Sequence, residues 1–298
     1  MQLAKFDIGG ACAMTADQVI AGRRQPDASL AANPSSMTVA ANSSAPLLSI
    51  KGLSVRFGGI VALDNVSFDV KAGQICGLIG PNGAGKTTLF NCLSRLYQAG
   101  TGTVHFAGER LLQLPRHRIA HLGIGRTFQH LALFQSMSVR ENVLIGGHCR
   151  SHGGLIADAL HLPIVGREER LLRERATGLL EMLELTAIAD VPVSALPFWM
   201  RKRVELARAL ASEPKLLLLD EPAAGVNHAG LGLLGQLILN IRDQLGITIL
   251  LVEHHMSLVM GVSDQVVALN FGRKIADGTP AEVQKNPDLI RAYLGSEL

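Results

Sequence analysis

The feature that most constrains this chain is the stretch at residues 80–88, Gly-Pro-Asn-Gly-Ala-Gly-Lys-Thr-Thr. It fits the phosphate-loop pattern G-x-x-x-x-G-K-[ST]. The apolar run at 75–79 precedes it and predicts a buried strand, and residues 87–93 can open a helix. The motif therefore lies in the strand–loop–helix context that it needs.

These residue types suit the binding of a phosphate chain. Glycines let the backbone wrap closely around an anion, and the loop N–H groups and the helix N-terminus then point at it. Lys86 is expected to reach the β- and γ-phosphates and the Thr87 hydroxyl to ligate Mg²⁺. The predicted nucleotide-binding residues of the loop are Gly80, Asn82, Gly83, Ala84, Gly85, Lys86, Thr87 and Thr88.

One alternative is the glycine-rich turn of a dinucleotide-binding fold, because glycines also recur at 77, 80, 83 and 85. The Gly-Lys-Thr ending favours nucleotide phosphates instead. A dehydrogenase is further disfavoured by the acidic pair at Asp220 and Glu221.

Composition limits the number of domains and the classes of partner that this chain can have. The chain has 298 residues, 48% of them hydrophobic, which suits one large or two small domains with a sizeable core. The net charge of +3 is too small to imply nucleic acid, and none is expected as a partner. The four cysteines lack metal-ligand spacing, and a reducing compartment fits them best. No apolar run approaches the roughly 18 residues of a membrane span.

The pattern along the chain predicts an α/β fold. Residues 48–57 alternate like a half-exposed strand, whereas the four leucines at 216–219 predict a central strand buried on both faces. We expect a P-loop NTPase core with an antiparallel β edge and a helical subdomain at about 130–211. Residues 1–46 are predicted to be a disordered extension, and the folded part to span 47–298.

Asp220 and Glu221 end the leucine run, where α/β sheets place their ligand groups. An Asp here can orient Mg²⁺, and the adjacent Glu can align or deprotonate an attacking water. Taken alone, such a pair equally well caps a helix or faces solvent. Together with the phosphate loop it indicates hydrolysis.

Five segments occur in the order found in ATPase subunits of ABC transporters, which the chain resembles over residues 47–298. They are the phosphate loop, 126–129, 216–222, 224–227 and 252–255. A second set resembles the ATPases of bacterial branched-chain amino acid importers: 55–59, 125–134, the insert near 146–170, 270–273, 278–280 and 292–295.

The resemblance implies roles for single residues. Phe57 resembles the aromatic that stacks on adenine, Gln129 the residue that senses Mg²⁺ and the γ-phosphate, and His254 the histidine that holds the γ-phosphate. The metal ligands would be Thr87, Gln129 and Asp220, and the catalytic residues Glu221, His254, Gln129 and Lys86. Without the resemblance, the ordinary interpretation is that Phe57 is a core residue of its strand, Gln129 a surface residue and His254 a structural residue.

The resemblance also implies partners. The chain would be an ATPase using ATP and Mg²⁺, paired with a second ATPase subunit of the same or another kind. It would lie peripherally on the cytoplasmic face of the inner or plasma membrane, bound to integral permease subunits. Three alternatives stay open: a regulatory ATP-binding module, a non-transport ABC protein, and an importer of urea or amides.

One segment departs from the family pattern. The family signature, approximately L-S-G-G-Q, should precede a helix that is present here at 203–210, but residues 196–200 read Leu-Pro-Phe-Trp-Met. We call residues 196–200 the signature segment. The serine hydroxyl is absent, Pro197 has no N–H, and Trp199 adds bulk where the backbone would approach a partner's nucleotide. We expect an impaired contribution to the partner's ATP site.

Overall fold

The computed structural model describes residues 45–128, 131–150 and 163–294. The chain divides into two compact units, residues 1–42 and 43–298, and every described residue lies in the second. All but the last two residues of the predicted N-terminal extension therefore lie outside the described part.

The described part of the chain contains both strands and helices, as an α/β fold requires. The strands are β1 Leu48–Phe57, β2 Ile60–Val70, β3 Ile75–Ile79, β4 Thr101–Phe106, β5 Glu109–Arg110, β6 Ile124–Arg126, β7 Leu216–Asp220, β8 Thr248–Val252, β9 Gln265–Asn270 and β10 Arg273–Gly278. The α-helices are α1 Lys86–Leu93, α2 Arg118–Leu122, α3 Val139–Gly147, α4 Pro163–Met182, α5 Phe198–Leu210, α6 His228–Leu245, α7 Met256–Val262, α8 Pro280–Gln284 and α9 Pro287–Leu294.

Two sheets carry the fold. One is four-stranded and antiparallel with the order β2-β1-β4-β5, and the other is six-stranded with the order β10-β9-β3-β8-β7-β6. In the second sheet the pairs from β9 to β6 are parallel, and only β10 runs antiparallel. The predicted parallel core with an antiparallel β edge is confirmed.

Strand β7 shows why a strand at the centre of the sheet has an unbroken apolar sequence. All five of its residues are buried. Leu217 and Leu219 pack into the core on one face, which also holds the helices α3 to α5, whereas Leu216 and Leu218 pack into the core on the other face. Because both faces are covered, no polar alternation survives in the sequence.

Two helix boundaries differ from the sequence-based expectation. Apolar residues at three- and four-residue steps in 167–185 predict an amphipathic helix, and the structure has one at Pro163–Met182, with residues 176, 179 and 180 buried but Leu171 exposed. The pattern at 204–211 predicts another helix, which begins six residues earlier, at Phe198. Its first turn carries the exposed Phe198 and Trp199, so no periodic burial pattern marked it. None of the described helices is long and apolar enough to cross a membrane.

Candidate nucleotide site

The phosphate loop joins β3 to α1, and its glycines have conformations that other residues rarely adopt. Gly80, Gly83 and Gly85 have φ values of 147°, 79° and 104°. A Cβ on Gly85 would lie 2.6 Å from the carbonyl oxygen of Ala62, whereas one on Gly83 would meet no heavy atom within 4 Å. The loop is therefore packed at its helix end and open at its tip.

Lys86 folds back over its own loop. Its side chain is buried, and Nζ donates hydrogen bonds to the carbonyl oxygens of Gly80 at 2.6 Å and Pro81 at 2.9 Å. Burial lowers the pKa of Lys86, and the carboxylates of Glu221 and Asp220 oppose that shift. The predicted acidic pair therefore interacts electrostatically with the predicted lysine.

Asp220 ends β7 and is only 2% exposed. Its Oδ2 accepts a hydrogen bond from Arg126 Nη2 at 3.0 Å, and Arg126 Nη1 also donates to Asn91 Oδ1 at 2.8 Å. Arg126 ends β6, which pairs in parallel with β7. Sequence reasoning missed Arg126 as a site residue; its signal is a single basic residue that ends an apolar strand.

Glu221 follows in an unusual conformation. Its φ is +47°, a left-handed value that is uncommon outside glycine, and its N–H donates to the carbonyl oxygen of Val252 at 2.9 Å. Backbone strain of this kind clusters at functional sites. The turn places Glu221 beside the end of β8, from which the predicted His254 follows.

The fully buried Glu253 connects the segments after β7 and β8. Its Oε1 accepts the N–H of Ala223 at 2.7 Å, and its Oε2 accepts the N–H of His254 at 3.1 Å. Oε2 also lies 3.1 Å from Nδ1 of His255. The His254 side chain is 55% exposed, and its ring lies 4.2 Å from that of His255 between centroids. Glu253 was also missed; a carboxylate directly after a buried strand was its signal.

The remaining predicted site residues differ in their exposure to solvent. Phe57 ends β1 and is 44% exposed, with its ring edge-on to Tyr97 at 5.1 Å between centroids, so it is not a core phenylalanine. Gln129 lies outside the described residues. Thr87 and Asn82 are exposed on the loop, and Thr88 is half-buried.

The signature segment forms the start of α5. Pro197 is the N-cap residue and makes no side-chain capping bond. Phe198 and Trp199 are each 47% exposed, with Lys202 Nζ 5.9 Å from the Phe198 ring and Arg203 Cζ 5.7 Å from the Trp199 ring. A Cβ on Gly225 would lie 3.4 Å from Phe198, so the aromatic pair borders the loop at 224–227.

Proteins of known family have sequences similar to this chain. Residues 63–224 match the family described as ABC transporter, and residues 273–298 match the family described as Branched-chain amino acid ATP-binding cassette transporter. The high-affinity branched-chain amino acid transport ATP-binding protein LivG of Salmonella typhimurium is 44% identical over 252 residues, 85% of this chain and 99% of LivG. Its counterpart BraF of Pseudomonas aeruginosa is 42% identical over 252 residues, with the same coverage of 85% and 99%.

Solved structures agree on the fold. The ADP conformation of MJ1267, an ATP-binding cassette of an ABC transporter, has a TM-score of 0.73 and 31% identity, covering 85% of this chain and all of that one. A nucleotide-free ATP-binding cassette from an ABC transporter has a TM-score of 0.70 and 31% identity, covering 83% of this chain and 98% of that one.

The sheet topology, the phosphate loop and these neighbours define a P-loop nucleotide-binding ATPase. Within that class, the chain belongs to the family of ABC transporter ATP-binding proteins.

Proposed function

We propose that this chain is the ATP-hydrolysing subunit of a membrane importer for branched-chain amino acids. The observation that supports the proposal is that Arg126 bonds both to Asp220 and to Asn91, in the helix that follows the phosphate loop, and so links the acidic strand end to the loop that carries Lys86. The substrate class is supported by 44% identity to LivG along 99% of that protein and by the match at 273–298.

ATP binds in this proposal along residues 80–88, with its adenine against the open face of Phe57. Lys86 releases the two loop carbonyls that it now contacts and turns to the β- and γ-phosphates. The site suits Mg²⁺ because its donors are oxygens, a hydroxyl at Thr87 and a carboxylate at Asp220, with Gln129 as a further ligand. When bound, Mg²⁺ would neutralise charge on the phosphates.

For hydrolysis, Glu221 aligns or deprotonates the attacking water, and His254 holds the γ-phosphate. Glu253 positions both groups, since its carboxylate accepts an N–H from each of their segments. Gln129 links the site to the membrane partner. The roles of these residues are part of the proposal.

The working unit is a dimer with a second ATPase subunit on the cytoplasmic face of the membrane, bound to permease subunits. Differential ATP affinity between the open and closed dimer supplies the work of transport. Residues 47–298 form the ATPase domain with a helical subdomain at about 130–211, and residues 1–46 form an extension. We further propose that the signature segment of this chain weakens its partner's site, leaving one competent and one degenerate site per dimer.

The test is steady-state phosphate release by the full chain, with and without its permease subunits and second ATPase. We expect the complete complex to hydrolyse ATP and take up leucine, isoleucine or valine, and Glu221→Gln to bind ATP without turning it over. Loss of ATP binding in Glu221→Gln would contradict its role as the base. Uptake of urea or amides in place of amino acids would correct the solute and leave the ATPase assignment intact.

A second candidate is a regulatory ATP-binding module with little hydrolysis. The observation that favours it is the signature segment, in which Pro197 offers no N–H and Trp199 adds bulk. Phosphate release at background level in the complete complex, together with tight ATP binding, would support this candidate.

A further inference from the structure

The last described helix contacts the first residue of the phosphate loop. Tyr293, in helix α9 at Pro287–Leu294, accepts a hydrogen bond on its hydroxyl oxygen from the N–H of Gly80, with an N···O distance of 3.0 Å. The two residues are 213 positions apart in the chain. The contact therefore joins the nucleotide loop to the far end of the fold.

Packing holds the tyrosine in place. Its ring lies against a small core that includes Ile79, Val266, Val283 and Leu289. Ile79 is the residue before Gly80, so the core that seats the ring also seats the start of the loop. Burial raises the pKa of Tyr293, with the Gly80 N–H opposing the shift, so the hydroxyl stays neutral at physiological pH.

Gly80 has little freedom to turn its N–H elsewhere. Its φ of 147° is one that side-chain-bearing residues rarely adopt, and a Cβ at this position would clash with the carbonyl oxygen of Leu269. Gly80 is also buried. Without the tyrosine hydroxyl, its N–H would lose this partner at a site closed to water, which is costly for a backbone donor.

A second contact fixes the other end of the loop to the same part of the chain. Gly272, in the turn between β9 and β10, donates its N–H to the carbonyl oxygen of Ala84 at 3.1 Å. The loop is thus held at its entrance by α9 and near its exit by the β9–β10 turn. The loop tip at Gly83 remains open between these two contacts.

We propose that Tyr293 is a positioning residue for the phosphate loop, which couples nucleotide binding to the docking of helix α9. This inference rests on the nucleotide site proposed above. Tyr293 acts on the nucleotide through the Gly80 backbone and does not touch it. Because binding linkage is reciprocal, a bound nucleotide steadies α9 by the same factor as a docked α9 tightens nucleotide binding.

The variant Tyr293→Phe removes the hydroxyl and keeps the ring in its core. We expect Mg-ADP, measured by calorimetry on the full chain, to bind about fivefold more weakly, the effect of one ordinary neutral hydrogen bond. Amide exchange at Gly80 should become about tenfold faster, while amides in β4 and β5 keep their parental rates. In the parent, Mg-ADP should slow exchange in α9, and in the variant this effect should disappear.

The matched control is Arg291→Gln on the same helix, which breaks the exposed pair with Asp288 at 2.8 Å and leaves the tyrosine in place. It should match the parent in Mg-ADP affinity and in Gly80 exchange. Parental values in Tyr293→Phe, or faster exchange across the whole fold, would overturn the inference. A parent chain that fails to bind Mg-ADP would instead overturn the proposed nucleotide site.

Discussion

The guanidinium of Arg126 and the carboxylate of Asp220 form a buried ion pair at 3.0 Å, with side chains only 7% and 2% exposed. The same guanidinium donates to Asn91 Oδ1 and Ser94 Oγ near the end of α1. Arg126 therefore ties the helix that follows the phosphate loop to the strand that carries the proposed Mg²⁺ ligand. A carboxylate this deeply buried needs a counter-charge, and here Arg126 supplies it.

We predict that Arg126→Met lowers the free energy of unfolding by about 3–5 kcal/mol in the absence of nucleotide, because it leaves Asp220 buried without its counter-ion. The double variant Arg126→Met with Asp220→Asn should recover much of that loss. Urea denaturation at neutral pH measures both. As a control, Arg140→Met breaks the exposed pair with Asp190 and should cost at most about 1 kcal/mol. A double variant no more stable than Arg126→Met would contradict the argument.

Lys86→Ala should separate nucleotide binding from folding. Within the described part of the chain, its Nζ donates to the carbonyl oxygens of Gly80 and Pro81, and burial lowers its pKa, so its charge adds little to stability. We expect Mg-ATP affinity to fall on the order of 10- to 100-fold, as the loss of a charge-assisted phosphate contact implies, with little change in Tm. Lys285→Ala, at an exposed lysine after α8, is the control. Unchanged Mg-ATP affinity in Lys86→Ala would remove the proposed site.

The features that the sequence predicted correctly are those that depend on neighbouring residues in the chain. The strand before the phosphate loop, the glycines within it and the alternation of β1 are each encoded in a few consecutive positions. The partners of three other residues are distant in the chain: Arg126 bonds across 94 positions, Glu253 across 30 and Tyr293 across 213. Only tertiary packing creates those contacts, so the motif residues were found and their supporting groups were not.

The start of α5 was missed for a different reason. The family pattern predicts that the signature segment precedes the helix, and the aromatics of this segment are half exposed rather than packed in the core. Pro197 is compatible with a helix start, since it already lacks the N–H that the first turn leaves unpaired. Family knowledge here obscured a local signal that proline provides.

Stability should depend on pH through the capping box of α8. The carboxylate of Glu282 accepts hydrogen bonds from the backbone N–H and the hydroxyl of Thr279, both at 2.8 Å, and these bonds lower its pKa. A lowered carboxyl pKa gives stability that is present above the unfolded value of about 4.3 and lost as pH falls through the folded value. Glu282→Gln keeps an acceptor but cannot titrate.

We therefore expect the difference in Tm between the parent and Glu282→Gln to be constant from about pH 5 to 7 and to shift against the parent below about pH 4. Thermal melts in a pH series, followed by circular dichroism, provide the measurement. Parallel Tm curves for the two proteins down to about pH 3 would show that this box does not contribute through its charge.

The last prediction concerns the signature segment, where the four substitutions Pro197→Ser, Phe198→Tyr, Trp199→Gly and Met200→Gln give Leu-Ser-Tyr-Gly-Gln, which matches the approximate family pattern L-S-G-G-Q at every position except 198. Position 197 is the N-cap of α5 and has an extended ψ of 158°, so a serine there can cap the helix. Such a cap stabilises a helix by about 1 kcal/mol, which offsets the similar cost of the glycine in the first turn. The fold should persist, and phosphate release by the complete complex should rise because glycine at position 199 lets the segment approach the partner's nucleotide and serine at position 197 restores a hydroxyl. Trp199→Phe, which keeps the bulk, should give no rise. If the four-substitution variant turns over ATP no faster than the parent, this segment does not limit hydrolysis.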